Sequence, residues 1–304
     1  MLRIPAIAVL LAGLASAPAG TDPSAPDKVR SSQDFGDIRR EVETLRGKTF
    51  RQEVPVYHVS AKELRAISDR GLDEEFPGEK LHGYEELLAW LDMVPPATDL
   101  KAVSADLLVD QVAGLYDSEA KEMCIPSYAS GSTNLERKAL EKKLEEISPA
   151  LDNLVLAHEF THALEDQYWP VDDPQDHDPK ASTDRGTAHE FLNEGSATRE
   201  MIEVIPAQWG SGSPALYFLL WDVIHSGAGE LALNSALRGV WKSPEALVAG
   251  VPATLARTEA MPYSFGYAFA TEVMRKWGLD GLDYIYNHPP VSSEQVMHPK
   301  KCWE

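Results

Sequence analysis

The chain has 304 residues, enough for one large domain or two modest ones with a sizeable core. Hydrophobic residues at 43% and charged residues at 25% exclude wholesale disorder, a collagen-like fibre and a polytopic membrane protein. With 28 Lys plus Arg against 48 Asp plus Glu, the net charge of −20 argues against nucleic acid and anionic membrane surfaces as partners, because a polyanion repels phosphate.

At the N-terminus, Arg3 precedes an apolar run from Ile4 to Leu14, and small residues follow. Ala15-Ser16-Ala17 and Ala17-Pro18-Ala19 each fit a cleavage signal, and Pro18 disfavours the first. This is the layout of a secretory signal peptide over residues 1–19, and the apolar run is short for a membrane span. The expected location is therefore periplasmic or extracellular, with no membrane attachment after cleavage. Residues 20–34 are rich in Pro and Ser and read as a flexible leader. Residues 35–304 read as one domain, with a helical N-terminal part over 35–104 and the core over 105–304.

Helical spacing covers 37–47 and 61–70, with Ser60 as a cap for the second, and Tyr84–Met93, stopped by Pro95-Pro96. From Asp110 to Pro126, two apolar runs flank Asp117-Ser118-Glu119-Ala120, a β-hairpin signal. Residues 136–147 read as a charged, solvated helix. Leu151–Gln167 is helical with so wide an apolar arc that the helix must be largely buried. Residues 169–186 hold three prolines and many acids and form a loop. Thr187–Ile205 is helical again, and Ala215–Ile224 is apolar all round, as a core helix would be. Helices fit 230–239, 244–249 and 266–277, and the Pro-rich tail is irregular. The class is α+β, predominantly α-helical, with a small antiparallel sheet or hairpin before the 151–167 helix. Cys124 and Cys302 are the two cysteines; an exported chain permits one disulfide between them, and two unpaired thiols are the alternative.

His158-Glu159-Phe160-Thr161-His162 carries the chemistry. Residues four apart on a helix share a face, about 6 Å apart along the axis, so two imidazoles can grip one ion. Imidazole suits zinc, and Glu159 beside that face can serve a water as general base. By chance such a motif arises in roughly one chain of this length in a hundred. Catalytic zinc normally takes a third protein ligand and leaves one place for water. Glu194, on the next predicted helix beside Gly195 and Ala197, is the first choice, because those small residues allow close helix approach. Glu190 shares its face one turn earlier and is the rival. His189-Glu190 lacks a second histidine, since residue 193 is Asn. His177 sits among Asp172, Asp173, Asp176 and Asp178, which could hold calcium but read better as an exposed acidic loop.

The 158–167 helix followed by Asn193-Glu194-Gly195-Ser196-Ala197 resembles the gluzincin branch of zinc metallopeptidases. Residues 158–167 and Ser292–Pro299 are also similar to a group of exported bacterial zincins expected to be peptidases. The resemblance covers about residues 105–300 and implies a zincin-like fold, one catalytic Zn²⁺ on His158, His162 and Glu194, and an edge strand that holds a peptide or protein substrate as an added strand. Tyr263-Ser264-Phe265-Gly266 resembles the Tyr-x-x-Gly element of aminopeptidase-like gluzincins, which makes Tyr263 the first candidate to stabilise the oxyanion. His298, in the second matching segment, is the other. Thr198 stands where that branch has an Asp supporting a histidine, so support must come from elsewhere, with Asp166 and Glu165 as candidates. The implied activity is hydrolysis of peptide bonds by a zinc-activated water with Glu159 as base. The alternatives are an exported, zinc-stabilised binding or assembly protein that does not cleave, and a zinc hydrolase of a non-peptide amide or ester.

Overall fold

The computed structural model describes residues 27–76, 79–111, 114–127, 148–170, 183–210 and 252–303, with isolated positions between 215 and 235. The signal sequence, the charged 136–147 segment, the His177 loop and the 244–249 helix lie outside the described residues. Among the described residues the chain is mostly helical with one small sheet, the α+β class expected.

The first strand, β1 (Lys28–Arg30), falls inside the stretch read as a leader. Helix α1 (Gly36–Arg46) ends on Gly47, whose φ of 64° favours glycine and where a Cβ would fall 2.8 Å from Leu279 Cδ1. Then come β2 (Val56–Val59) and α2 (Ala61–Glu75). The Ser60 side chain accepts the Glu63 N–H at 3.3 Å, so the cap expected there forms. Helix α3 (Lys80–Trp90) starts and stops earlier than the apolar spacing suggested, and Leu87, Trp90 and Leu91 on it and just after it are exposed. Helix α4 (Leu100–Gln111) has no counterpart in the sequence reading.

The expected hairpin is present as β3 (Leu115–Asp117) and β4 (Glu122–Pro126), paired antiparallel with Tyr116 opposite Met123. The sheet around it differs from expectation. Its order is β1-β2-β4-β3, and β2 runs parallel to β4, so it is mixed rather than antiparallel. Parallel pairing joins segments far apart in sequence, and no local turn signal announces it.

Helix α5 (Ser148–Asp166) carries the HExxH motif through the centre of the molecule. Leu154, Val155, Leu156, Ala157, Phe160, Ala163 and Leu164 are all buried, which bears out the wide apolar arc. They pack in one cluster with Val42 of α1, Val59 of β2 and Leu64 of α2. Helix α6 (Thr183–Glu203) lies against α5 and leads to the short α7 (Ile205–Gly210). The long element α8 (Ala253–Asn287), interrupted at Gly278, packs along α6 and builds a second cluster from Phe191, Leu192, Phe269 and Val273. The tail is not irregular: it forms α9 (Ser293–Met297) and α10 (Lys300–Trp303). The expected core helix at 215–224 is corrected at its described positions. Leu219 and Val223 are helical but 59% and 52% exposed, because apolarity alone does not supply a covering surface.

Both cysteines are free. Cys124 is buried in the α1–sheet–α5 cluster and Cys302 packs against the α6–α8 cluster, so no bridge joins them. Burial pushes the Cys124 thiol up to about 12, which keeps it protonated and inert.

Candidate metal centre

His158 and His162 turn their rings to one face of α5, and their Nε2 atoms are 2.9 Å apart. From α6, Glu194 brings Oε2 to 3.1 Å from His158 Nε2 and 3.3 Å from His162 Nε2. The three donor atoms lie within 4.8 Å of one another, and among the described residues no other group of His, Cys, Asp and Glu gathers in this way. Ligands held at 2.0–2.2 Å around a tetrahedral ion sit roughly 3.4 Å apart. The observed spacings therefore fit a zinc ion with little movement. Glu190, the rival carboxylate, is not in the group.

Close helix contact makes this possible. A Cβ on Gly195 would fall 2.1 Å from the carbonyl carbon of Gly266, and one on Gly266 would fall 2.0 Å from the carbonyl oxygen of Phe191. Any side chain at either position would force α6 and α8 apart. The glycine contact sets Glu194 from one helix beside Tyr263 from the other. Tyr263 is buried, and its ring stacks on His158 with centroids 6.0 Å apart. Burial, and then the nearby charge of Glu194, holds its phenol well above the ordinary range, so it is a proton donor rather than a phenolate.

Glu159 projects beside that face and takes no part in the donor group. Its Oε2 accepts the backbone N–H of Tyr116 at 2.7 Å. Its Oε1 is buried and makes no hydrogen bond among the described residues. Burial pushes its carboxyl up to about 8, against the pull of His162, which poises it near neutrality. Burial, with His162 adjacent, pushes His158 down to about 4, so it is neutral, the form that binds a metal. For His162 burial opposes charging, but the Glu194 carboxylate wins and raises it to about 9. Glu194 is held well below the carboxylate range by the two histidines, against its burial.

Of the two acids expected to support the histidines, Glu165 acts on His162 through its charge, and the hydrogen bonds of both acids described here go to other partners. Glu165 is buried and takes three donors: Arg46 Nε at 2.7 Å, Ser196 Oγ at 2.6 Å and Tyr286 OH at 2.5 Å. Asp166 takes Tyr116 OH at 2.7 Å and Lys121 Nζ at 2.6 Å. The Ala197 backbone favours the charged form of His158, against its burial, and His158 Nδ1 makes no hydrogen bond among the described residues.

His298 is not brought to the group. It caps α9, its side chain is 61% exposed, and its ring pairs with Glu294. Glu294 feels the charge of Asp184, at the start of α6. Glu194 is ten residues further along that helix, about 15 Å away at 1.5 Å per residue. The Tyr116 amide, the Arg46–Glu165 pair and the Ser196 contact escaped sequence reading. A backbone donor carries no residue signature, and a buried arginine looks like a surface one until its partners are placed.

No protein-family model, curated protein or solved structure matches the chain. Among the described residues no helix is long and apolar enough to cross a membrane.

Proposed function

We propose that the chain is an exported, zinc-dependent peptidase of the gluzincin type, with a zincin-like arrangement of edge strand β3 against the HExxH helix. One observation carries the reading: Glu194 converges on both rings while Oε1 of Glu159 is left buried and unpaired beside them. A buried carboxylate oxygen without a partner is costly, and a polar species bound at the site would remove that cost. The donor set of two imidazoles and a carboxylate suits zinc better than calcium or magnesium.

A bound zinc ion would supply Lewis acidity, drawing the pKa of water at the site toward about 7. The protein groups do the rest. Glu159 Oε1 accepts the proton of the attacking water and later returns it to the leaving amine. Tyr263 donates its hydroxyl proton in a hydrogen bond to the developing oxyanion. The proposed nucleophile is water, so the route has no covalent acyl-enzyme.

The test is metal analysis of the purified chain beside cleavage of a mixed set of fluorogenic peptides, with and without a chelator. Wild type should bind one zinc and cleave in a chelator-sensitive way. Glu159→Gln should keep zinc and lose turnover, and His158→Ala should lose both. A folded chain that stays metal-free in excess zinc, or zinc retained in His158→Ala, overturns the ligand assignment. Zinc bound without cleavage of peptides or esters favours a binding protein, and cleavage of esters alone favours a non-peptide hydrolase.

A further inference from the structure

Hairpin β3–β4 is fastened to α5 at four points along one line. Gly114 lies so close that a Cβ there would come within 3.1 Å of Val155 Cγ1 and 3.6 Å of Glu159 Cγ. One residue pair on, the Tyr116 N–H is donated to Glu159 Oε2 at 2.7 Å. The phenol of the same tyrosine is donated to Asp166 Oδ2 at 2.7 Å, two turns further along the helix. Lys121, at the far end of the turn and in the left-handed region at φ 56°, reaches the same Asp166 oxygen at 2.6 Å. Glu159 and Asp166 are seven residues apart and so share a helix face.

We propose that Tyr116 is the positioning residue for Glu159, acting through both its ends. The phenol, held by Asp166, fixes where the strand lies. The backbone N–H then holds one oxygen of Glu159 and leaves the other, Oε1, buried without a hydrogen bond among the described residues. A glutamate has three rotatable bonds, and freezing them before reaction spares that entropy during it. The N–H points away from β4, so pairing within the sheet does not consume it. The strand edge beside the site is therefore partly engaged by the base itself. This inference rests on the reading of Glu159 as the base, yet the contact it describes can be measured without any turnover.

The experiment uses the full chain loaded with zinc. Tyr116→Phe removes the phenol contact and keeps the ring. Expected are one bound zinc at unchanged affinity, an unchanged KM and a kcat lower by about tenfold, the scale of a small misplacement of a reacting group. A purely structural loss would instead lower zinc content and folded fraction together. Asp166→Ala, which removes the anchor from the other side, should reproduce the kcat loss. Amide hydrogen exchange at residue 116 gives the independent readout. In metal-free protein, Glu159→Ala should speed exchange at residue 116 by about tenfold or more, since that N–H loses its acceptor. Wild-type kcat in both Tyr116→Phe and Asp166→Ala, or unchanged exchange at residue 116 in Glu159→Ala, overturns the inference. If wild type cleaves nothing, the peptidase reading fails while the exchange result still decides whether Tyr116 holds Glu159.

Discussion

Gly195 and Gly266 touch backbone to backbone, and a Cβ on the first would lie 2.2 Å from the carbonyl oxygen of the second. This contact places the Glu194 carboxylate from α6 and the Tyr263 phenol from α8 beside the same histidine, His158. Gly266→Ala should therefore do two things at once. Overpacking should cost about 1–3 kcal/mol of stability, read from urea unfolding. Zinc affinity should fall by about tenfold or more as Glu194 is displaced, read by competition with a chromogenic chelator. Full affinity in a stable Gly266→Ala chain would mean that the helix contact does not set the metal geometry.

On the proposed function, zinc should stabilise the fold as well as act in it. The proposed ligands come from two helices, so binding would tie α5 to α6. At free zinc about a thousandfold above Kd, mass action adds about 4 kcal/mol. Chelation should lower the unfolding midpoint of wild type and of Glu159→Gln alike, and should leave Glu194→Ala nearly unmoved. A scanning calorimetry series with and without chelator separates these cases.

Arg46 is fully buried and serves both Glu165 and Asp283, at 2.7 and 2.8 Å, linking α1 to α5 and α8. Removing one partner of a buried pair strands the other charge. Arg46→Met should cost about 3–5 kcal/mol in denaturant unfolding. Adding Glu165→Met to it should cost less than the sum of the single changes, because no unpaired charge is left behind. Strict additivity would mean that the pair is not coupled.

Glu200 on α6 is buried, and burial pushes its carboxyl up to about 7 from 4.5, against the pull of Arg199 at 2.8 Å. The folded state thus binds this proton more tightly than the unfolded chain. Its contribution is favourable at low pH, is lost as pH rises from 4.5 through 7, and stays lost above that window. Glu200→Gln should raise stability at pH 8 by about 1–3 kcal/mol and have little effect at pH 4.5. Urea titrations of both proteins at those two pH values check this. Equal effects at both would show that the carboxyl ionises normally.

Tyr263 should act on rate rather than on binding. Tyr263→Phe keeps the ring stacked on His158 and removes the hydroxyl, so zinc content and KM should hold while kcat falls by about a hundredfold. A KM effect alone would assign the hydroxyl to substrate binding.

Local features were legible because they are read from neighbours in sequence. His158 and His162 sit four residues apart, so spacing alone put the two rings on one face with Glu159 beside it. The burial of α5 followed from its apolar arc, the Ser60 cap from its position before a helix, and the β3–β4 hairpin from its turn residues. Glu194 was legible as the favoured acid, but Glu190 one turn away could not be dismissed, since both project from the same helix face. His298 and Tyr263 looked alike as donors, and only one of them lies beside the rings.

The sequence by itself determined the chemical inventory, namely a helix bearing two imidazoles and a carboxylate, with acids and small residues downstream. Tertiary structure alone decided which acid joins the rings, that Gly266 meets Gly195, that Arg46 pairs with Glu165, and that β2 lies parallel to β4. The physical reason is range. Helical and turn preferences act over about four residues. Each of these later pairings joins residues on separate elements, and their contact depends on how whole helices and strands pack.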